Sequence, residues 1–232
     1  MTSKTTKLLT WVFDCDGVLL DSNQAKTYAF EWALRDYPED AVTKFIRHHK
    51  LNGGLSRFEK VDRFFREILK RRPGEDEKEE ILNRFALRAI DSVMAVDEAP
   101  QIRRILPALR SQGMRLIVVS GGAQSEVRGI LEKKNLSHYF DGVFGSPDSK
   151  SDILFREISD FEAAQSLFIG DSPLDYMAAV GRGMSFAFVY DWTEFVSWRE
   201  FFSGKPIGVY RNISEIFTHY YKGQLSNSPS AG

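Results

Sequence analysis

The sequence lacks several features that would place it in a specialised class of protein. It has a single cysteine, Cys15, among 232 residues, so no disulfide within the chain can stabilise the fold. Its formal net charge is −1, which gives no overall field to attract nucleic acid or an anionic membrane. No apolar run approaches the ~18 residues that a membrane-spanning helix needs. We therefore expect no nucleic-acid or membrane partner, and a cytoplasmic location.

We expect no signal peptide at the start of the sequence. The stretch from Met1 to Phe13 is too short for a signal peptide and has no cleavage-site pattern. We expect residues 223–232, which are mostly small and polar, to be disordered. The chain is 43% hydrophobic and 27% charged, which is typical of a folded protein. Its length predicts one domain with an insertion, or two small domains.

The pattern of apolar residues divides the chain into three parts. Residues 8–13 form a short apolar run that predicts a buried strand. Residues 22–96 have the spacing of charged amphipathic helices, and breaks near Pro38, at 52–54 and at 72–74 predict about four of them. After Ala99, apolar runs and helical segments alternate. The predicted strands there are 116–119, 142–144, 167–169 and 186–189, and the predicted helices are 102–112, 123–134, 151–158 and 173–182.

This alternation predicts an α/β fold with a parallel sheet covered by helices on both faces. The core consists of residues 1–21 and 97–222, and a helical insertion, 22–96, interrupts it after the first strand.

Two carboxylates, Asp14 and Asp16, follow the first predicted strand and precede a glycine. An unpaired ionised carboxylate is costly to bury, so this pair has no structural use at the end of a buried strand. Open α/β folds bind their ligands outside the carboxyl ends of parallel strands, where a cation can offset such charges. The pair therefore predicts an active site with a bound divalent metal.

Polar residues also follow the later strands. Ser120 and Gly121 end the second strand and run into a helix, whose free amide groups suit a phosphate. Lys150 follows the third strand, and Asp171 and Asp175 follow the fourth. Hard oxygen ligands suit Mg²⁺, whereas the lysine and the helix N-termini suit an anionic substrate.

These four clusters, in this order, resemble the motifs of the haloacid dehalogenase superfamily of phosphohydrolases. Residues 14–18 match its first motif, Asp-x-Asp-Gly-x, and Ser120 matches the serine or threonine of the second. Lys150 matches the lysine of the third motif, and Asp171 with Asp175 matches the paired acids of the fourth.

The resemblance covers residues 8–189 and has further implications for the fold. The helical insertion lies where the family places its cap domain. The family's fold is a Rossmann-like parallel-sheet core with an inserted all-helical cap domain, here 22–96. The segment 52–60 resembles the specificity segment of the branch with a small helical cap, which includes phosphoglycolate phosphatase and β-phosphoglucomutase.

The resemblance implies roles for the acidic residues. Asp14 would be the nucleophile that forms an aspartyl-phosphate. Asp16 would protonate the leaving alcohol, activate water and offer its backbone carbonyl to Mg²⁺. With Asp14 and Asp16, Asp171 and Asp175 would complete the metal site. The sequence around Asp175 also fits a helix N-terminus, so helix capping remains an alternative for this residue.

The resemblance also implies a phosphate-binding set. Ser120 and the amide of Gly121 would hold phosphoryl oxygens, with N-capping as the alternative for Ser120. Lys150 would neutralise phosphate charge and hold Asp14, with a solvated surface lysine as the alternative.

Within the cap, Arg57 is a candidate for binding a second anionic group of the substrate, because guanidinium pairs well with carboxylate or phosphate, with a solvated side chain as the alternative. Lys26 and Lys60 are weaker candidates, and solvated positions are expected for both. The four histidines show no ligand spacing, so we expect ordinary structural or surface roles for His48, His49, His138 and His219.

The sequence is consistent with three functions. The first is an Mg²⁺-dependent phosphatase acting on a small phosphorylated metabolite, such as a sugar phosphate or phosphoglycolate. The second is a phosphomutase of the β-phosphoglucomutase type, and the third is a non-catalytic binding protein on the same scaffold. The substrate is the expected partner, and the sequence leaves both a monomer and a homodimer open.

Overall fold

The computed structural model describes residues 8–221, apart from the side chain of Asp91. The predicted disordered tail, 223–232, lies outside the described residues. Within them, six parallel strands form one sheet in the order β3-β2-β1-β4-β5-β6. The strands are β1 (Thr10–Phe13), β2 (Arg115–Ala123), β3 (Gly142–Ser146), β4 (Ser166–Gly170), β5 (Ser185–Val189) and β6 (Gly208–Tyr210).

Helices occupy most of the connections between these strands. Between β1 and β2 lie α1 (Asn23–Ala33), α2 (Glu39–Leu51), α3 (Arg57–Arg63), a π-helical turn (Phe64–Ile68), α4 (Glu77–Met94) and α5 (Ile102–Ser111). The later helices are α6 (Gln124–Lys133), α7 (Lys150–Glu157), α8 (Asp160–Ala163), α9 (Pro173–Arg182), α10 (Trp198–Phe201) and α11 (Ile213–Tyr220), with a 3-10 turn at Ser137–Tyr139. None of the helices within 8–221 has the length and apolar character required to cross a membrane.

The sheet is buried on both faces, which explains why its strands are almost continuously apolar. Side chains alternate between the faces of a strand, so Trp11 and Phe13 pack in one apolar layer while Val12 packs in the other. The first layer includes residues of α5, α6 and α11, and the second includes residues of α7 and α9. The predicted α/β parallel-sheet fold is confirmed.

The helices α1 to α4 have an apolar core of their own. Phe30 of α1 packs against Phe85 of α4, with ring centroids 4.1 Å apart, and against Phe45 of α2 at 5.0 Å. This separate core supports the predicted helical cap, whose boundaries at residues 22 and 96 remain a prediction.

The second strand is longer than the sequence predicts. β2 continues through Ser120 to Ala123, and α6 begins only at Gln124, with Ala123 as its N-cap. The predicted end of this strand at Val119 was therefore wrong, although the helix predicted from residue 123 begins close by, at Gln124. N-capping is excluded as the role of Ser120, because Ala123 is the N-cap. Two glycines follow Ser120 and interrupt the apolar pattern, which is why the continuation of the strand leaves no signal in the sequence.

Candidate active site

Neighbouring strands bring the predicted site residues to one edge of the sheet. β1 lies between β2 and β4, so Asp14 and Asp171, which directly follow β1 and β4, lie at the same edge as Ser120 in the last part of β2. Lys150 begins α7 and Asp175 lies in the first turn of α9, and both side chains reach the same edge.

A buried lysine joins two of the carboxylates. The Nζ of Lys150 lies 2.8 Å from Oδ1 of Asp14 and 2.5 Å from Oδ1 of Asp175. Only 7% of Lys150 is exposed, which excludes the alternative of a solvated surface lysine. Burial opposes the charged form of Lys150, but the two carboxylates outweigh it and raise the pKa of the amine above its usual value.

Asp175 caps a helix and also reaches into the site, whereas its predicted metal ligation remains a prediction. It forms a capping box at the start of α9, because its amide donates to Oγ of Ser172 and its carboxylate accepts from the Ser172 amide. The other oxygen of the same carboxylate accepts from Lys150. Helix capping therefore holds the Asp175 carboxylate where it also contacts Lys150.

Three buried carboxylates are close enough to share one metal ion. Asp14, Asp171 and Asp175 each offer an oxygen, and these oxygens lie within 4.8 Å of one another. Burial raises the pKa of Asp14 to about 7 against the attraction of Lys150, and the Asp175 and Asp16 carboxylates add to the rise. Burial and then the other two carboxylates raise the pKa of Asp171. The single positive charge of Lys150 does not balance the three carboxylates. Their oxygen atoms form a donor set that fits a divalent cation such as Mg²⁺.

Magnesium is expected to raise the melting temperature (Tm) more at pH 8 than at pH 5. The pKa of Asp14 in the folded protein, about 7, exceeds its usual value of 3.8. The metal-free protein is therefore expected to lose stability as the pH rises from about 4 through 7, and an Mg²⁺ ion held by the three carboxylates would offset this loss. At about 100 times its Kd, the ion contributes about 2.7 kcal/mol, or roughly 5–10 °C in Tm. Thermal melts at both pH values, with NaCl matched for ionic strength, would contradict the prediction if Mg²⁺ had the same effect at each.

Asp16 lies beside this carboxylate cluster but its side chain has other partners. Its carboxylate accepts from Nζ of Lys26 and from Oγ of Ser22, each at 2.5 Å. Although burial opposes ionisation, the ammonium and the hydroxyl hold the pKa of Asp16 below its usual range. The Lys26 side chain is only 19% exposed, so the expectation of a solvated helix lysine was wrong.

Two residues outside the predicted set hold Asp171. Nδ2 of Asn23, in the first turn of α1, donates to Oδ2 of Asp171 at 2.7 Å. Oγ1 of Thr193, in the segment after β5, donates to the backbone carbonyl of Asp171 at the same distance. Neither residue belongs to a strand-end cluster, and no sequence pattern pointed to them.

The cap lies directly against the strand ends. A Cβ placed on Gly121 would lie 2.0 Å from the carbonyl oxygen of Gly54, in the loop between α2 and α3. A Cβ on Gly54 would lie 3.3 Å from Nζ of Lys150. Ser120 is fully buried next to this contact, and its Oγ accepts from the amide of Gly122. The absence of a side chain at Gly121 is what permits so close an approach.

Two ion pairs also connect the cap to the core. Arg57 of α3 contacts Glu126 of α6, with 2.5 Å between Nη2 and Oε1. Glu194, after β5, lies 3.2 Å from Nζ of Lys50 and accepts from Oγ1 of Thr27 at 2.6 Å. Arg57 lines the cavity between cap and core, as a substrate-binding residue must, but one of its nitrogens is already paired. Its predicted role in binding a second anionic group remains a prediction.

Lys60 and His49 lie in the same cavity. Both are buried, with Nζ of Lys60 2.7 Å from Nδ1 of His49. The expectation of a solvated position was therefore wrong for Lys60. It failed because the polarity of a helix face does not reveal what packs against that face.

Sequence comparisons agree with this geometry. The family model for haloacid dehalogenase-like hydrolases matches residues 11–189. A phosphoglycolate phosphatase of Aquifex aeolicus (strain VF5) is 29% identical over 185 residues, which cover 74% of this chain and 80% of the relative.

Solved structures share the fold. A predicted phosphoglycolate phosphatase of Haemophilus somnus has a TM-score of 0.71 at 20% identity, covering 94% of this chain and all of its own. A β-phosphoglucomutase of Clostridium difficile has a TM-score of 0.69 at 19% identity, covering 92% of this chain and 98% of its own. With the family match over most of its length, the chain belongs to the haloacid dehalogenase-like hydrolases and is a phosphatase.

Proposed function

We propose that this phosphatase hydrolyses a small phosphorylated metabolite with Mg²⁺, through an aspartyl-phosphate on Asp14. The observation that carries the proposal is the buried cluster of Lys150 with Asp14, Asp171 and Asp175. A purely structural role does not explain three buried carboxylates around one lysine, because their mutual repulsion destabilises the fold.

In the first step, the Asp14 carboxylate attacks phosphorus. A bond forms between its oxygen and phosphorus, the bond from phosphorus to the alcohol oxygen breaks, and Asp16 in its protonated form gives a proton to that oxygen. In the second step, water attacks phosphorus, Asp16 takes a proton from the water, and the Asp14 carboxylate is released with inorganic phosphate.

The surroundings of Asp16 favour the second step. Lys26 and Ser22 stabilise its ionised form, which is the form that accepts a proton from water. For the first step, a phosphate dianion beside Asp16 would raise the pKa of its carboxyl and oppose the effect of Lys26.

Charge neutralisation is the main requirement of phosphoryl transfer, and the remaining residues of the site serve it. Lys150 holds Asp14 and faces the phosphoryl group, whose oxygens Ser120 and the Gly121 amide would bind. Asp14, Asp171, Asp175 and the backbone carbonyl of Asp16 would hold Mg²⁺, which would supply further positive charge to the site.

Gly121→Ala is expected to lower kcat/KM for phosphate release roughly 100-fold. The added methyl group would collide with the Gly54 carbonyl and keep the cap from closing, which misplaces groups by about 1 Å. Gly129→Ala is the matched control, because a methyl there meets no described atom within 4 Å and Gly129 lies inside α6. Equal kcat/KM for the two variants would contradict the proposed closure.

Phosphate release from a panel of esters tests the proposed function. The panel contains 2-phosphoglycolate, several sugar phosphates and p-nitrophenyl phosphate, each with metal-stripped protein and with Mg²⁺ restored. The proposal predicts release that depends on Mg²⁺. A protein that releases no phosphate but converts glucose 1-phosphate to its isomer with a bisphosphate activator would instead be a mutase.

A further inference from the structure

Asp171 differs from the other carboxylates of the site in its partners. Asp14, Asp16 and Asp175 each form an ion pair with a lysine, but no lysine or arginine among the described residues pairs with Asp171. Its Oδ2 accepts a hydrogen bond from the neutral amide of Asn23, and its Oδ1 accepts none from a described residue. Only 4% of Asp171 is exposed. This buried carboxylate therefore lacks the compensation for its charge that a bound cation would supply.

The partner of Asp171 comes from the cap, because Asn23 is the first residue of α1. Its Nδ2 donates to Oδ2 of Asp171 at 2.7 Å and to the backbone carbonyl of Trp192 at 3.0 Å, which uses both of its hydrogens. Turning the amide over would place its oxygen against two acceptors, so only one orientation forms these bonds. Asn23 thereby connects the cap to a candidate metal ligand and to the segment after β5.

The backbone of Gly17 packs directly against this contact. A Cβ there would lie 2.3 Å from Oδ2 of Asp171 and 2.4 Å from Nδ2 of Asn23. Gly17 has a φ of 77°, a conformation that residues with a side chain rarely adopt. The loop after β1 thus leaves just enough room for the amide and the carboxylate to meet, and it limits their movement.

The segment after β5 bonds to both Asp171 and the cap. Oγ1 of Thr193 donates to the backbone carbonyl of Asp171 at 2.7 Å. The next residue, Glu194, accepts from Oγ1 of Thr27 at 2.6 Å and lies 3.2 Å from Nζ of Lys50. Thr27 belongs to α1 and Lys50 to α2. The segment that fixes the backbone of Asp171 therefore also contacts two helices of the cap.

We propose that Asn23 and Thr193 are positioning residues that hold Asp171 for Mg²⁺, and that through Asn23 the closed cap and the bound ion stabilise each other. The proposal rests on the proposed function, from which it takes the metal site. Groups that hydrogen-bond to a metal-ligating carboxylate orient it and strengthen metal binding. Such coupling is reciprocal, so a cap position that favours the ion is favoured by the ion to the same degree.

Calorimetry with Mg²⁺ and metal-stripped protein measures the positioning directly. Asn23→Ala is expected to weaken Mg²⁺ binding roughly 10- to 100-fold, as the loss of a group that orients a metal ligand does elsewhere. It is expected to regain most of its kcat for phosphate release at saturating Mg²⁺, whereas a kcat that stays low at every Mg²⁺ concentration would overturn the positioning role. Asn83→Ala, at an exposed asparagine of α4, is the matched control and is expected to bind Mg²⁺ as the wild-type protein does.

Thr193 offers a second, closely matched pair of variants. Thr193→Val removes the hydroxyl group at nearly unchanged volume and is expected to weaken Mg²⁺ binding several-fold. Thr193→Ser retains the donor and is expected to keep the wild-type affinity. Equal affinities of these two variants would overturn the role of Thr193. The pair tests the positioning of Asp171 even if Asn23→Ala does not fold.

Hydrogen exchange measures the coupling between the ion and the cap. Gly54 and its neighbours, residues 52–55, form the cap loop that meets Gly121, so exchange of their backbone amides slows when the cap closes. Saturating Mg²⁺ is expected to slow this exchange in the wild-type protein and in Asn83→Ala, and to have far less effect in Asn23→Ala. The same slowing in all three proteins would overturn the coupling.

Failure of this inference can be distinguished from failure of the proposed function. Wild-type protein that neither binds Mg²⁺ nor needs it to release phosphate would reject the metal site of the proposed function, and the inference with it. Wild-type protein that binds Mg²⁺ and needs it for phosphate release, together with unchanged Mg²⁺ binding in Asn23→Ala and Thr193→Val, would overturn the inference alone.

Discussion

Asp14→Asn is expected to lower kcat for phosphate release by about 10⁴-fold or more, as removal of a catalytic nucleophile does elsewhere. The amide is similar in size to the carboxylate but cannot form the bond to phosphorus. The same change removes one of three mutually repelling buried carboxylates. The variant is therefore expected to unfold at a higher temperature than the wild-type protein when both are free of metal at pH 8.

Lost activity together with a higher Tm in Asp14→Asn separates a catalytic role of Asp14 from a structural one. Loss of activity with a lower Tm would indicate damage to the fold rather than removal of the nucleophile. Asp40→Asn is the control, because Asp40 is an exposed cap acid paired with Lys44, and it is expected to change neither quantity. Activity in Asp14→Asn within 10-fold of the wild type would contradict the assignment.

Lys150→Met is expected to cost about 3–5 kcal/mol in the free energy of unfolding at pH 8 and also to abolish activity. Removing the lysine leaves the buried carboxylates of Asp14 and Asp175 without their cation. The loss is expected to be smaller at pH 5. Protonation relieves the repulsion there, because the pKa of Asp14 is already raised to about 7 and rises further without Lys150.

Urea unfolding at pH 5 and pH 8 measures this difference. Lys44→Met controls for the removal of an ordinary surface cation, whose ion pair is worth under about 1 kcal/mol. A Lys150→Met variant that loses the same free energy at both pH values would show that Lys150 contributes mainly by packing.

The parts of the site that the sequence predicts share one property. Four residues of the site lie at or just beyond strand ends or at helix starts: Asp14, Lys150, Asp171 and Asp175. The local pattern of apolar residues predicts these strand and helix boundaries. Parallel strands then bring their carboxyl ends to one edge whatever the details of packing. Local sequence is therefore sufficient to place these four residues together.

The residues that the sequence missed depend on contacts between distant segments. Asn23 and Thr193 both bond to Asp171, but they come from the cap and from the segment after β5. Lys26 and Lys60 have the spacing of ordinary helix lysines, but both line the cavity between cap and core and are largely buried there. No local sequence pattern predicts which residues of the cap will contact the core.

The error in β2 has a different cause. Its extension to Ala123 passes through Gly121 and Gly122, which have no apolar side chains to mark a strand. The longer strand places Gly121 against Gly54, in the loop between α2 and α3. The strand β6 also went unpredicted, because it is a three-residue strand at the edge of the sheet.

The stereochemical course at phosphorus tests the central claim most directly. The substrate is a phosphorothioate ester made chiral with oxygen isotopes, hydrolysed in isotopically labelled water with Mg²⁺ present. Two successive in-line displacements, first by Asp14 and then by water, predict net retention of configuration in the inorganic thiophosphate. Net inversion would mean that water attacks the ester directly, and it would contradict Asp14 as the nucleophile.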